Sequence, residues 1–293
     1  MKKLLLPLFA LFTLINIPLF SIDWPSREGV LNRNFGVNNN GLPHLGLSFD
    51  TAEEIYAAAG GELLFNRRRG DTASRLPSPL GAWIAVDHGD GIISIYSRLS
   101  DSTQDLMSET EGRVSRGMHL GTSGISGWSS GRGFYFKLYD RAERRWINPM
   151  VIAALPADTR LPDILSIRLI DSEGTVYLNP SQGRNLNQGL YTIIVDAFDT
   201  IRTANESPLA PFRITCILNG REAGTLNFES YSARDGSLTV QRNGLIPVRQ
   251  VYAPFPAYEI AEIWLSRGQT SLEIIAQDVS GNTRNMSYRF IVE

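Results

Sequence analysis

Few side chains in this sequence have the chemistry of a metal ligand or a nucleophile. The 293 residues contain three histidines, His44, His88 and His119, and one cysteine, Cys216. His44 and Asp50 are separated by an even number of residues, so in an extended strand both side chains lie on one face. Imidazole and carboxylate groups are ligands that zinc takes in proteins, but a zinc site needs three or four of them. The pair therefore suggests metal chemistry without completing a site.

Other candidate nucleophiles and acids have simpler interpretations. Cys216 lies between Ile214 and Leu218 in a predicted strand, which favours a small buried apolar side chain. The Ser/Gly runs at 123–127 and 129–131 lack the strand-turn-helix context of a nucleophile elbow or a phosphate loop. Asp196 and Asp199 are spaced like paired carboxylates, yet at a strand end we expect hydrogen-bonding roles.

A skeleton of short motifs surrounds His44. Its segments are Phe35-Gly36, Pro43-His44-Leu45-Gly46, Val86-Asp87-His88-Gly89, Tyr96-Ser97-Arg98-Leu99, a glycine-rich run at 114–124, Phe134-Tyr135-Phe136-Lys137-Leu138 and Asn148-Pro149. This pattern resembles the lysostaphin/LytM-type zinc endopeptidases, which cut peptidoglycan cross-bridges. The resemblance covers residues 23–149, a little under half of the chain.

The resemblance implies three zinc-ligand positions, and only one keeps its residue. In the family, zinc is held by the His and Asp of a His-x-Gly-x-Asp segment and by the second His of a His-x-His segment. His44 matches the first ligand, whereas Ser48 and Tyr135 stand at the other two positions. Asp50 lies about 7 Å beyond Ser48 along an extended strand, and one carboxylate does not replace two lost ligands.

The two catalytic positions implied by the resemblance have also changed. Arg98 stands where the family has a catalytic His, and Gly133 stands at the first position of His-x-His. The Glu that usually follows is Lys137 here. We therefore expect no catalytic residue, no metal ligand and no zinc cofactor, and the chain is predicted not to be an enzyme.

These substitutions place cations around a groove that holds zinc in the family. The hypothesis is that the Arg98 guanidinium occupies the place of the metal ion, held by Asp50, and that the groove binds a ligand without cutting it. In the alternative, Arg98 points to water and Phe134 and Tyr135 fill the groove. The candidate groove residues are His44, Asp50, Arg98, Trp128, Arg132, Tyr135 and Lys137.

The spacing of apolar segments and turns predicts an all-β protein. Short strands with Gly-containing turns indicate an antiparallel LytM/lysostaphin-type domain at residues 22–150, and a proline-containing linker follows at 151–161. Seven to nine predicted strands in residues 162–293 suggest an immunoglobulin-like β-sandwich. Since one cysteine cannot form an internal disulfide, both domains depend on buried apolar surface.

The N-terminus predicts export. Lys2 and Lys3 precede an apolar run to Phe20, which is typical of a secretory signal peptide at residues 1–21, with an uncleaved anchor as the alternative. We expect a location in the periplasm or cell envelope, and no stable membrane span after cleavage. The net charge of −2 and the absence of a long basic run argue against nucleic acid as a partner.

These interpretations predict a non-catalytic cell-envelope protein. It would bind peptidoglycan or regulate a cell-wall hydrolase through the groove. One alternative is an active zinc endopeptidase with unorthodox ligands, which would need zinc. Another is a structural or adhesive module that acts through the sandwich.

Overall fold

The structure is a computed structural model, and it describes residues 21–50, 54–68, 77–100, 111–128, 131–153, 155, 157–180, 185–201 and 207–293. The predicted signal peptide lies outside these residues except for Ser21. Within the described ranges, no helix is long and apolar enough to cross a membrane.

Twelve short strands make up the first half of the described chain. They are β1 (Leu31–Arg33), β2 (Asn38–Asn39), β3 (Leu42–Pro43), β4 (Leu47–Phe49), β5 (Glu54–Tyr56), β6 (Gly61–Arg67), β7 (Ala82–Asp87), β8 (Ile92–Leu99), β9 (Arg113–Val114), β10 (His119–Thr122), β11 (Phe134–Asp140) and β12 (Arg145–Ile147). A 3-10 helix, Pro149–Val151, follows with Asn148 as its N-cap.

Ten strands and a second 3-10 helix, Val248–Gln250, form the remainder. The strands are β13 (Asp163–Asp171), β14 (Val176–Leu178), β15 (Gly189–Phe198), β16 (Arg213–Leu218), β17 (Arg221–Arg234), β18 (Ser237–Arg242), β19 (Leu245–Pro247), β20 (Ala257–Leu265), β21 (Gly268–Gln277) and β22 (Thr283–Val292). The pairings between these named strands are antiparallel, so the predicted all-β, antiparallel class is confirmed for the described residues.

Alternating burial explains the long strands. In β15, Tyr191, Ile193 and Val195 are buried, whereas the residues between them are only partly buried. The sheet β14-β13-β15-β20 and the strands β16, β17, β21 and β22 send such residues into one shared core. The immunoglobulin-like assignment of this region remains a prediction.

The two halves of the chain are joined more closely than the sequence suggested. Strand β12 pairs with β17, with Trp146 opposite Tyr231, so that one 14-stranded sheet runs through both halves. Phe35 packs into the core of the C-terminal half, and Leu209 packs into the core of the N-terminal half. Each half therefore buries part of the other.

Candidate functional site

Strand β11 supplies the floor of the candidate site. Phe134, Phe136 and Leu138 point into the core, and this alternation turns Tyr135 and Lys137 to the opposite face. Within the sheet, Tyr135 lies opposite Ser48 of β4 on one side and opposite Ser97 of β8 on the other. The register brings the polar side chains of three strands to one surface.

His44, Ser48 and Tyr135 form a closed cluster on this surface. The His44 Nε2 atom lies 3.0 Å from the Ser48 hydroxyl. The imidazole stacks on the Tyr135 ring with centroids 4.6 Å apart. The Leu45 backbone N–H donates to the Tyr135 hydroxyl oxygen at 3.1 Å. The His44 Nε2 atom and the Tyr135 hydroxyl group therefore both have hydrogen-bond partners within the protein.

His44 is held in its neutral form. Burial, followed by the nearby charges of Arg33, Lys137 and Arg98, lowers its pKa from 6.5 to about 3. The imidazole is only 8% exposed. Burial and the surrounding positive charges thus act in the same direction on the imidazole.

Two half-buried cations lie against the Tyr135 ring. The Lys137 Nζ atom is 4.5 Å from the centroid of Tyr135 and 5.0 Å from that of Trp146. Burial, and then Arg98, lowers the pKa of Lys137 to about 8. The Arg98 Cζ atom is 5.7 Å from the Tyr135 centroid, and burial is the main cause that lowers the pKa of its guanidinium. Aromatic faces thus replace part of the lost hydration of both cations.

A cavity of about 500 Å³ opens above this cluster. All seven candidate groove residues line it: His44, Asp50, Arg98, Trp128, Arg132, Tyr135 and Lys137. Ser48 and Gly133 also line it, so the five positions of the implied catalytic centre meet in one place. The structure therefore brings together residues that are up to 93 positions apart in the sequence.

Comparison with known proteins agrees with this arrangement. The model of Peptidase family M23 matches residues 42–149. The chain contains an M23 peptidase-like domain. The resemblance to lysostaphin/LytM-type peptidases is thereby confirmed for this part of the chain. A second family model, which carries no functional description, matches residues 161–293, and no curated protein matches.

Several solved structures are similar to the chain. A catalytic-domain mutant of the prophage-encoded M23 protein EnpA from Enterococcus faecalis is 20% identical, over 44% of this chain and 95% of that one, with a TM-score of 0.35. A zinc containing peptidase from Vibrio cholerae is 18% identical, over 48% and 41%, with a TM-score of 0.33. The catalytic domain of lysostaphin from Staphylococcus simulans is 21% identical, over 40% and 81%, with a TM-score of 0.30.

Two glycines of the M23-like domain allow strands β4 and β11 to approach. A Cβ atom on Gly133 would lie 2.2 Å from the Phe49 carbonyl oxygen, and one on Gly46 would lie 2.2 Å from that of Phe136. Such distances require the backbone to move. Gly133, at the first position of the implied His-x-His pair, therefore has no room for a histidine in this conformation.

The other two histidines lie outside the cavity. The His88 Nδ1 atom is 2.8 Å from the Gly60 carbonyl oxygen, and its Nε2 atom is 2.8 Å from the Ser94 hydroxyl. The His119 Nε2 atom is 3.9 Å from a Glu54 carboxylate oxygen. Neither histidine adds a ligand to His44.

The residues at the three metal-ligand positions fit zinc poorly. His44 directs Nε2 at a hydroxyl, Ser48 is a neutral oxygen, and burial raises the pKa of the Tyr135 phenol above its usual value. Across the described ranges, no group of three or more His, Cys, Asp and Glu side chains is arranged to hold a metal ion.

Asp50 acts on Arg98 without a direct contact, since its charge raises the pKa of the guanidinium against the lowering effect of burial. Asp50 accepts a hydrogen bond from the Asn32 side-chain amide at 2.6 Å, and it forms no ion pair with Arg98. Arg33 also lines the cavity and was missed by sequence reasoning. It belongs to β1, outside every motif of the implied catalytic centre, so no local signal indicated it.

Proposed function

We propose that this protein is an exported, non-catalytic component of the bacterial cell envelope. Its M23-like domain binds peptidoglycan, or regulates a cell-wall hydrolase, through the cavity above Tyr135. The observation that carries the proposal is the closed cluster of His44, Ser48 and Tyr135 inside a ring of cations. We also propose that residues 162–293 form an immunoglobulin-like unit on the same chain.

The charges around the cluster argue against zinc. Burial is the largest cause of the lowered pKa of His44, and Arg33, Lys137 and Arg98 lower it further because they disfavour another positive charge beside them. The same field disfavours a divalent cation at that place. An imidazole bonded to a hydroxyl, with no carboxylate ligand beside it, supplies little to offset this repulsion.

The cavity has the features of a binding site for cell-wall material. Trp128 is 77% exposed at its rim and presents a flat surface on which a sugar ring can stack. Arg98, Arg132 and Lys137 present hydrogen-bond donors and no acceptors, which suits the carboxylates of peptide stems.

Two measurements on the full-length protein test the proposal. Elemental analysis after purification with added zinc should find no bound zinc, and purified sacculi should bind without being digested. Near-stoichiometric zinc accompanied by digestion of the sacculi would overturn the proposal in favour of the endopeptidase.

A pair of arginine variants tests the role of the groove. Loss of a charge-assisted hydrogen bond costs about 1.5–3 kcal/mol, so Arg98→Ala should weaken binding to sacculi by roughly tenfold or more. Arg221→Ala is the matched control, since Arg221 is an exposed arginine at the start of β17 and does not line the cavity. Equal affinities of both variants and the wild type would remove the groove from the proposal.

A second candidate function is supported by the outer face of the sheet β14-β13-β15-β20. Leu190 lies opposite Trp264 in this sheet, and Leu178 lies on the edge strand β14. All three side chains are about half exposed. If this face makes the partner contact, Trp264→Ser should abolish binding to sacculi while Arg98→Ala leaves it unchanged.

A further inference from the structure

The cavity of the M23-like domain has an excess of positive charge. Of the described residues that line it, four carry positive charges, Arg33, Arg98, Arg132 and Lys137, and one carries a carboxylate, Asp50. In the part of the chain that the structure describes, none of these four cations forms an ion pair. Asp50 is already engaged by the Asn32 amide. Among the described residues that line the cavity, the positive charges therefore exceed the negative ones by three.

Burial makes this arrangement costly for two of the four cations. Lys137 and Arg98 are half-buried, and burial is the largest cause that lowers the pKa of each, followed for Lys137 by the charge of Arg98. Aromatic contacts with Tyr135 and Trp146 offset only part of the lost hydration. An anionic ligand would relieve both the desolvation and the repulsion.

The backbone at Arg98 is strained in a way that favours a functional role. Arg98 has φ +64°, the left-handed region that suits glycine rather than arginine. Its N–H donates to the Leu80 carbonyl oxygen at 2.9 Å, and its carbonyl oxygen accepts from the Gly124 N–H at 2.8 Å. These two bonds hold the strained residue from both sides and keep its guanidinium at the cavity.

From these observations we infer that the cavity binds a short peptide with at least two carboxylates, one of them held by Arg98. The inference rests on the proposed function and specifies its ligand class. A single carboxylate would leave most of the excess charge unpaired, and a volume of about 500 Å³ suits a ligand of a few residues. The planar fork of Arg98 matches a carboxylate with two parallel hydrogen bonds.

The test compares two synthetic peptides by calorimetry with the full-length protein. The first is N-acetyl-Ala-Glu-Ala with a free C-terminus, and the second is N-acetyl-Ala-Gln-Ala-amide, which has the same shape and no carboxylate. We expect the first to bind at least about tenfold more tightly, because two charge-assisted contacts are lost in the second. Equal affinities, or no binding by either peptide, would overturn the inference.

Variants and a competing anion locate the site and define its chemistry. Arg98→Gln should weaken binding of the acidic peptide by about tenfold or more, Arg98→Lys should restore part of it, and Arg221→Gln should have no effect. An equal loss of peptide affinity in the Arg98→Lys and Arg98→Gln variants would contradict the claim that the positive charge of Arg98 binds a carboxylate. Displacement of the peptide by inorganic phosphate, but not by an equal concentration of succinate, would overturn the inference in favour of a phosphate site.

Binding of the protein to sacculi distinguishes a failure of this inference from a failure of the proposed function. If sacculi bind equally before and after chemical amidation of their carboxylates, the inference is overturned and peptidoglycan binding stands. If the acidic peptide binds and sacculi do not, the carboxylate inference stands and peptidoglycan binding falls.

Discussion

Asp199 is a buried carboxyl group that should make the stability of this protein depend on pH. It follows β15 and is paired through its backbone with Leu209, and its side chain is only 2% exposed. Its Oδ1 atom accepts the Thr200 N–H at 2.8 Å. Burial, and then the charge of the buried Asp278, raises the pKa of Asp199 from 3.8 to about 7.

The sign and size of the effect follow from this shift. Between pH 4 and 7, the unfolded chain releases the proton of Asp199 while the folded protein keeps it. The contribution of Asp199 to the free energy of unfolding therefore falls as the pH rises through this window, and it is constant above pH 7. A shift of roughly three pH units corresponds to about 4 kcal/mol, and relaxation of the ionised state reduces this to on the order of 2–4 kcal/mol.

The variant Asp199→Asn should remove this dependence. Asparagine stays neutral at every pH and can still accept the Thr200 N–H. Urea denaturation at pH 4.5, 6 and 8 should therefore show the variant gaining stability over the wild type as the pH rises. Asp23→Asn is the control, because the Asp23 side chain is 49% exposed and pairs with Arg116 at the surface, so its loss costs under about 1 kcal/mol. A constant difference between Asp199→Asn and wild type across the three pH values would refute this reasoning.

Three further predictions concern the site and the core. Gly133→Ala should lower the free energy of unfolding by about 1–3 kcal/mol, because the added Cβ atom would meet the Phe49 carbonyl oxygen. Gly131→Ala is the control, since its Cβ atom would meet no atom within 4 Å, and it should have little effect in the same thermal melt. Arg98→Gly should stabilise the fold by about 1 kcal/mol, because glycine adopts the left-handed backbone conformation of Arg98 without strain. The same variant should bind the ligand more weakly. A loss of stability would contradict the claim that the backbone at Arg98 is strained. Cys216 is buried, and burial raises the pKa of its thiol to about 12. Iodoacetamide should therefore label it only in denaturant, as measured by mass spectrometry. Rapid labelling of the native protein would contradict the buried position of Cys216.

The sequence predicted which side chains share the groove, because motif spacing and strand alternation are local signals. Alternation in β11 alone sets Tyr135 and Lys137 on the face opposite Phe134 and Phe136. The prediction that Cys216 is a small buried side chain is likewise confirmed, since an apolar strand determines it. The expected hydrogen-bonding roles of Asp196 and Asp199 are confirmed: Asp196 accepts from the Arg168 guanidinium at 2.7 Å, and Asp199 accepts the Thr200 N–H at 2.8 Å.

Other properties depend on contacts between distant segments and become visible in the three-dimensional structure. No spacing rule relates Arg33 to the cavity, which it reaches because β1 pairs with β4 and β4 pairs with β11. The same holds for the bond from Asn32 to Asp50, which replaces the expected contact with Arg98. Side-chain contacts of this kind depend on which strands pair in the folded sheet, and spacing along the sequence does not reveal that pairing.

The all-β class, the alternation of strand faces and the unusual residues at the family's metal positions can be read from the sequence. The tertiary structure decided that these residues close on one another, that four cations share one cavity, and that β12 joins β17 in a sheet common to both halves. The division has one physical cause. Backbone conformation and the alternation of side chains along a strand depend on neighbours in sequence. Charge balance, burial and strand pairing depend on groups that are distant in sequence and come together only when the chain folds.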